Sequence, residues 1–179
     1  SIRNDFFRKK FISINKLYMS FNQISLIESK SFELLENLEI LELESNCLVR
    51  LKKDMFFGLK GLKFLYLQSN SLITIEKNSF IHLESLIEIN LDENYLTEIK
   101  NETFIGLNSL LILKLAYNEI KFLEHDSLVH MPKLTTLILV NNRIKKFNIF
   151  YSHLTSLDLA FNRLEFFSVK ENLSEIDLR

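Results

Sequence analysis

The 179-residue chain has no tryptophan, three glycines and one cysteine. With Gly58, Gly61 and Gly106 as its glycines, it offers no glycine-rich loop to cradle a phosphate. It also lacks a G-x-S-x-G turn to present a nucleophilic serine. Cys47 is the single cysteine, so no disulfide closes within the chain, and no recognisable histidine partner activates it. The four histidines (His82, His125, His130 and His153) have no metal-ligand spacing such as H-E-x-x-H. No apolar run approaches the ~18 residues needed to span a membrane. The 22 basic and 23 acidic residues leave a net charge of −1, without the basic excess of a nucleic-acid footprint. The cluster Arg8-Lys9-Lys10 reads as a solvated end. These absences leave no catalytic residues, no metal site and no cofactor to expect, and no nucleic-acid partner.

What the chain has instead is a repeat. Residues 38–48 read LEILELESNCL, which is L-x-x-L-x-L-x-x-N-x-L. Neither helical spacing nor strict alternation accounts for it. The same pattern returns at 62–72, 86–96, 110–120, 134–144 and 154–164, and upstream at 14–24. The asparagines are Asn22, Asn46, Asn70, Asn94, Asn118, Asn142 and Asn162, spaced by 24 residues five times and then by 20. The chain ends inside a further copy, Leu173, Ile176 and Leu178. A fixed period of this size is the mark of a solenoid. Ten residues after the first four asparagines stand Phe32, Phe56, Phe80 and Phe104, with Leu128 in the fifth copy. Three residues further stand Leu35, Leu59, Leu83, Leu107 and Met131. Five after each Asn stand Ile27, Leu51, Ile75, Ile99 and Leu123.

In each copy a segment such as Leu41-Glu42-Leu43 alternates apolar and polar, which makes a short strand with one face inward. One copy cannot bury itself; stacked copies can, with neighbouring strands about 4.8 Å apart. After the strand the chain must turn, and buried peptide groups lose their partners. The asparagine amide, with two donors and an acceptor, can satisfy them across neighbouring copies. The phenylalanines fill the return side, where segments such as 28–37 form loops or short helical turns. Bulky return segments against narrow strands make the stack curve. The expected fold is therefore a leucine-rich solenoid: a curved horseshoe with a parallel sheet on its concave face. The segment 148–153 lacks the Phe-x-x-Leu return, so the convex side should be thinner there.

The ladder asparagine, the phenylalanine ten residues on and the 24-residue period resemble the typical class of leucine-rich repeat. Toll-like receptor ectodomains, Slit-like guidance proteins, neuronal adhesion proteins and secreted insect immune proteins carry that class. The shorter copies over 142–164 are similar to the mixed repeats of the insect proteins. The resemblance implies a non-catalytic protein-binding module of an extracellular recognition or adhesion protein, secreted or part of an ectodomain. It also implies cysteine-rich caps, which are missing here. The expectation is one domain over 1–179, about seven repeats plus a truncated eighth, cut from a longer chain. An intracellular scaffold binding cytosolic proteins is the alternative, and a segment that only spaces other domains is a third reading.

Two glycosylation triplets occur, at Asn101 and Asn172. Asn101 falls on the return side, where a glycan has room; Asn172 abuts a strand entry. For a partner, the residues between the inward leucines matter. An acidic zone gathers Glu42, Glu44, Glu88, Asp92 and Glu93 around Phe64 and Tyr66, with Tyr18 at one end. Beyond it Ile112, Ile138 and Val140 make an apolar zone flanked by Tyr117. Aromatics ringed by charge on a concave sheet are a surface for another protein, or for a second copy in a dimer. Ordinary solvation of a sheet face is the plainer reading. Cys47 falls on an exposed edge, inert or paired to another chain.

Overall fold

A computed structural model describes residues 1–4, 6–7, 13–149, 153–169 and 174–179. Eight three-residue strands form one parallel sheet in chain order: Lys16–Tyr18, Ile40–Glu42, Phe64–Tyr66, Glu88–Asn90, Ile112–Lys114, Thr136–Ile138, Ser156–Asp158 and Glu175–Asp177. The register never slips. Leu17, Leu41, Leu65, Ile89, Leu113, Leu137, Leu157 and Ile176 pair as one column. From Leu41 to Leu157 that column is buried; Ile176, at the outer edge, is 42% exposed. A one-residue slip would turn each leucine to solvent, so the hydrophobic pattern itself fixes the pairing.

The asparagine ladder forms as the amide chemistry requires. In Asn94, Nδ2 donates to Leu67 O (3.1 Å) in the preceding repeat, and to Leu91 O (3.1 Å) and Asp92 O (3.0 Å) in its own. Its Oδ1 accepts the Leu72 amide at 2.9 Å. Asn46, Asn70, Asn118 and Asn142 repeat this set, and all five are buried. Asn162 does the same while half-buried, taking the Ile144 amide at 3.0 Å. Asn22, in the first copy, is exposed and bonds Met19 O and Ser20 O within its own repeat.

The return side of the long repeats runs through single turns rather than helices. Each closes on an i+3 bond, as in Leu35 N to Phe32 O (2.9 Å) and Leu38 N to Leu35 O (3.0 Å). Phe32, Phe56, Phe80 and Phe104 are fully buried beneath these turns. Phe56, Phe80 and Phe104 stack face to face at 6.1–6.2 Å. That spacing exceeds the ~4.8 Å between strands, so each of these repeats is a wedge and the stack curves around its sheet. Gly58 and Gly106, at φ +95° and +103°, lie against the backbone of the preceding repeat at Glu33 and Ile81. A Cβ on Gly106 would lie 2.5 Å from Ile81 Cα.

A second polar column runs through the return side. Ser79 Oγ donates to Leu51 O (3.0 Å) and Glu76 O (2.6 Å), and Ser31 Oγ bonds Ile2 O and Glu28 O. Thr103 Oγ1 accepts the Lys100 amide at 3.0 Å. These hydroxyls occupy the ninth position after the ladder asparagine, interrupted by Met55. Near the chain's end the return becomes extended. Lys146–Ile149 pairs in parallel with Phe166–Val169, and the Phe147 and Phe167 rings stack at 6.1 Å. The thinner convex side expected over 148–153 is therefore, in its described part, a strand.

Candidate functional site

Strand geometry sends alternate residues to opposite faces. With the leucines inward, the residues on either side of them line the concave face. Register places Phe64 beside Ile40 and Glu88, Tyr66 between Glu42 and Asn90, and Ile138 between Lys114 and Asp158. These side chains are half-buried by their neighbours, whereas Tyr18, on the outermost strand, is 62% exposed.

The acidic zone is less uniform than its composition. Lys114 reaches diagonally across one strand pair and binds Glu88 Oε1 at 2.6 Å. Glu88 keeps only 14% of its side chain exposed, so this pair is a fixed feature of the face rather than a loose surface contact. Glu44 accepts a hydrogen bond from Gln68 Nε2. Glu93 Oε2 accepts one from Ser69 Oγ at 2.8 Å, at the turn. Asp92 is bound most tightly: its Oδ1 accepts the Ala116 amide at 2.6 Å, and its own amide donates to Asn90 Oδ1 at 2.9 Å. Burial outweighs that bond and the Lys114 charge, and raises the Asp92 carboxyl from 3.8 to about 6. Burial, and then the Glu88 charge, also push the Tyr66 hydroxyl above its ordinary value. Glu42, half-buried, lies beside Tyr66.

The apolar zone is interleaved with polar residues: Ile112 pairs with Glu88 and Thr136, and Ile138, on the strand of Thr136, pairs with Lys114 and Asp158. Val140, half-buried, lies between the corresponding positions of the neighbouring repeats, the buried Ala116 and Ala160. Tyr117 does not face this zone. It belongs to the turn, at φ 53°, is 55% exposed, and lines a groove on the lateral edge.

That groove was not apparent from periodicity. At the turn, Phe21, Ser45, Ser69, Glu93, Tyr117, Asn141 and Phe161 all take the left-handed conformation, φ 50–57°. The residues on either side of each ladder asparagine then rise as two walls, with the asparagines as floor. Over the last four complete repeats these walls frame an open groove of about 540 Å³. Both columns were visible in the sequence; the backbone conformation that aims them at one space was not.

On the convex side Asn101 is half-buried and accepts the Asp126 amide through Oδ1 at 3.1 Å. Thr103, the third residue of its triplet, is buried. Asn172 lies outside the described residues. Cys47 is exposed. Among the described residues, no cluster of three or more His, Cys, Asp or Glu is arranged to hold a metal, and no helix is long and apolar enough to cross a membrane.

With this geometry the comparisons with known proteins agree. The leucine rich repeat family matches residues 12–72, 36–96 and 85–144, more than half of the chain. The chain belongs to that family. Among solved structures it is similar to TLR13 in the TLR13–ssRNA13 complex, at 26% identity and TM-score 0.83, covering 92% of this chain and 24% of that one. It is also similar to human 5T4 (Wnt-activated inhibitory factor 1, trophoblast glycoprotein), at 23% identity and TM-score 0.71, covering 87% and 61%. The leucine-rich repeat domain of APL1 matches at 23% identity and TM-score 0.79, covering 92% and 43%. The chain thus spans about a quarter of the TLR13 chain and less than two thirds of the other two. No curated protein sequence matches it.

Proposed function

We propose that this chain is one stacked domain, 1–179, of an extracellular recognition protein, and that it binds another protein through its concave face without catalysing a reaction. The observation that carries this reading is the set of half-buried Phe64, Tyr66, Ile112, Ile138 and Val140 on one unbroken sheet face, with the fixed Glu88–Lys114 pair between them. Aromatic and aliphatic anchors around a paired charge are what a protein interface buries. The 24-residue period supports an extracellular setting, and 5T4, one structural neighbour, is by name a glycoprotein.

Tyr66→Ala and Ile138→Ala are expected to weaken partner binding while leaving the melting midpoint nearly unchanged. Equal binding by both variants would move the interface to an edge or to the convex side. Setting is tested by peptide mass spectrometry at Asn101 on the full-length protein from its own cells. A glycan replaces one Nδ2 hydrogen and spares the Oδ1 that Asp126 uses, so occupancy is compatible with the fold. An occupied site places the protein in the secretory pathway. An unmodified site, in protein found only in the cytosol, would favour an intracellular scaffold.

A further inference from the structure

The lateral groove is a second surface, separate from the concave face. Its walls carry three exposed aromatics: Tyr95 (53%) on one side, Tyr117 (55%) and Phe161 (71%) on the other. Tyr117 and Phe161 stand at left-handed positions, which disfavour bulky side chains. Asn141, between them on the same wall, is the residue type that this conformation suits. The turn can therefore be made without an aromatic. The rings neither fill the core nor ease the backbone, and three exposed aromatics gathered in one groove point to a ligand.

The charges in the groove nearly cancel. Arg143 binds Glu119 Oε1 at 3.1 Å across adjacent repeats on the wall opposite Tyr117. Arg163 adds one positive charge, and Glu93 lies in the adjoining stretch of the edge. The groove itself holds one carboxylate, already paired, and a single further guanidinium, so it lacks the run of cations that a phosphate backbone takes. Backbone pairing is also closed off here. The amides of Tyr117, Glu119, Asn141 and Arg143 all donate to neighbouring repeats, so an added peptide strand would find no free donors among them. What remains is flat apolar faces, two of them two repeats apart on one wall, with guanidinium, carboxylate and amide groups beside them. That alternation matches a sugar chain, whose rings offer C–H faces to aromatics and hydroxyl edges to paired polar groups.

We propose that this groove binds a neutral oligosaccharide, with Tyr117 and Phe161 stacking on its rings two repeats apart, and Arg143, Glu119 and Arg163 bonding its hydroxyls. The test titrates chitohexaose, cellohexaose and maltohexaose into the full-length protein by calorimetry. Saturable binding of at least one is expected. Tyr117→Asn and Phe161→Asn, which suit the turn and should not lower the melting midpoint, are each expected to weaken it about tenfold, ~1.4 kcal/mol. Ile138→Ala, on the concave face, should leave it unchanged, so this proposal and the concave-face reading fail separately. No binding of any of the three sugars, or binding that both turn variants leave intact, would overturn it. So would binding of a poly(U) oligomer that the turn variants abolish, in the absence of sugar binding.

Discussion

From Asn22 to Asn142 every repeat advances 24 residues; from Asn142 to Asn162 the advance is 20. On the inner side the two regions are the same object. Thr136–Ile138 pairs with Ser156–Asp158 in the register that Ile112–Lys114 uses with Thr136–Ile138. Asn142 reaches back 22 residues for the Ile120 amide, and Asn162 reaches back 18 for that of Ile144. All four missing residues therefore come from the return. In the long repeats an isoleucine or leucine follows the asparagine by five, and a turn then brings in a buried phenylalanine at ten. In the short repeats Phe147 and Phe167 stand at the fifth position and do both jobs, and the backbone there pairs as four-residue strands. The inner surface is specified by spacing and amide chemistry. The outer side has only to fill the space behind it, and two fillings serve.

Breaking the filling gives the largest expected effect. Phe104→Ala should cost about 3–5 kcal/mol in urea denaturation, as for buried phenylalanines generally. Phe147→Ala should cost a similar amount, because this one buried ring fills both return positions of its repeat. A cost well under that of Phe104→Ala would show that the short return is not held by its phenylalanine. Next comes the ladder. Asn94→Leu strands buried carbonyls and the Leu72 amide, and should lose roughly 1–3 kcal/mol. The same change at exposed Asn22 should lose little. Unchanged melts for both would sink the ladder as a source of stability.

The smallest effect is one of pH, and it probes the inner face alone. The Asp92 carboxyl sits at about 6 in the folded chain against 3.8 unfolded. Between those values the folded state holds the extra proton, so stability falls as pH rises through the window. Asp92→Asn keeps an acceptor for the Ala116 amide and removes the charge. It should melt higher than the parent above pH 6 and equal it below pH 3.8. A constant difference across that range would mean that Asp92 acts through shape rather than charge.

The ladder and the core columns were legible in the sequence because they are counts: a period, an asparagine, a phenylalanine at a set distance. The register followed from the same counts. Four features were not read that way. The hydroxyl column of Ser31, Ser79 and Thr103 is broken by Met55 and does not announce itself as periodic. Phe147 and Phe167 share a position, but that position belongs to aliphatic residues in every other copy. The neutralisation of Glu88 by Lys114 depends on a diagonal contact between strands, which a column-by-column reading separates. Tyr117 was read as a rim residue flanking Ile112, Ile138 and Val140; that its left-handed turn also makes it a wall of the lateral groove was not legible.

The most direct test of concave-face binding is site-specific photo-crosslinking in the full-length protein in its own cells. A photoreactive side chain is placed at Tyr66, at Ile138 or at Val129, which is exposed on the convex side. Concave binding predicts the same protein adduct from positions 66 and 138 and none from 129. An adduct from 129 alone would contradict it.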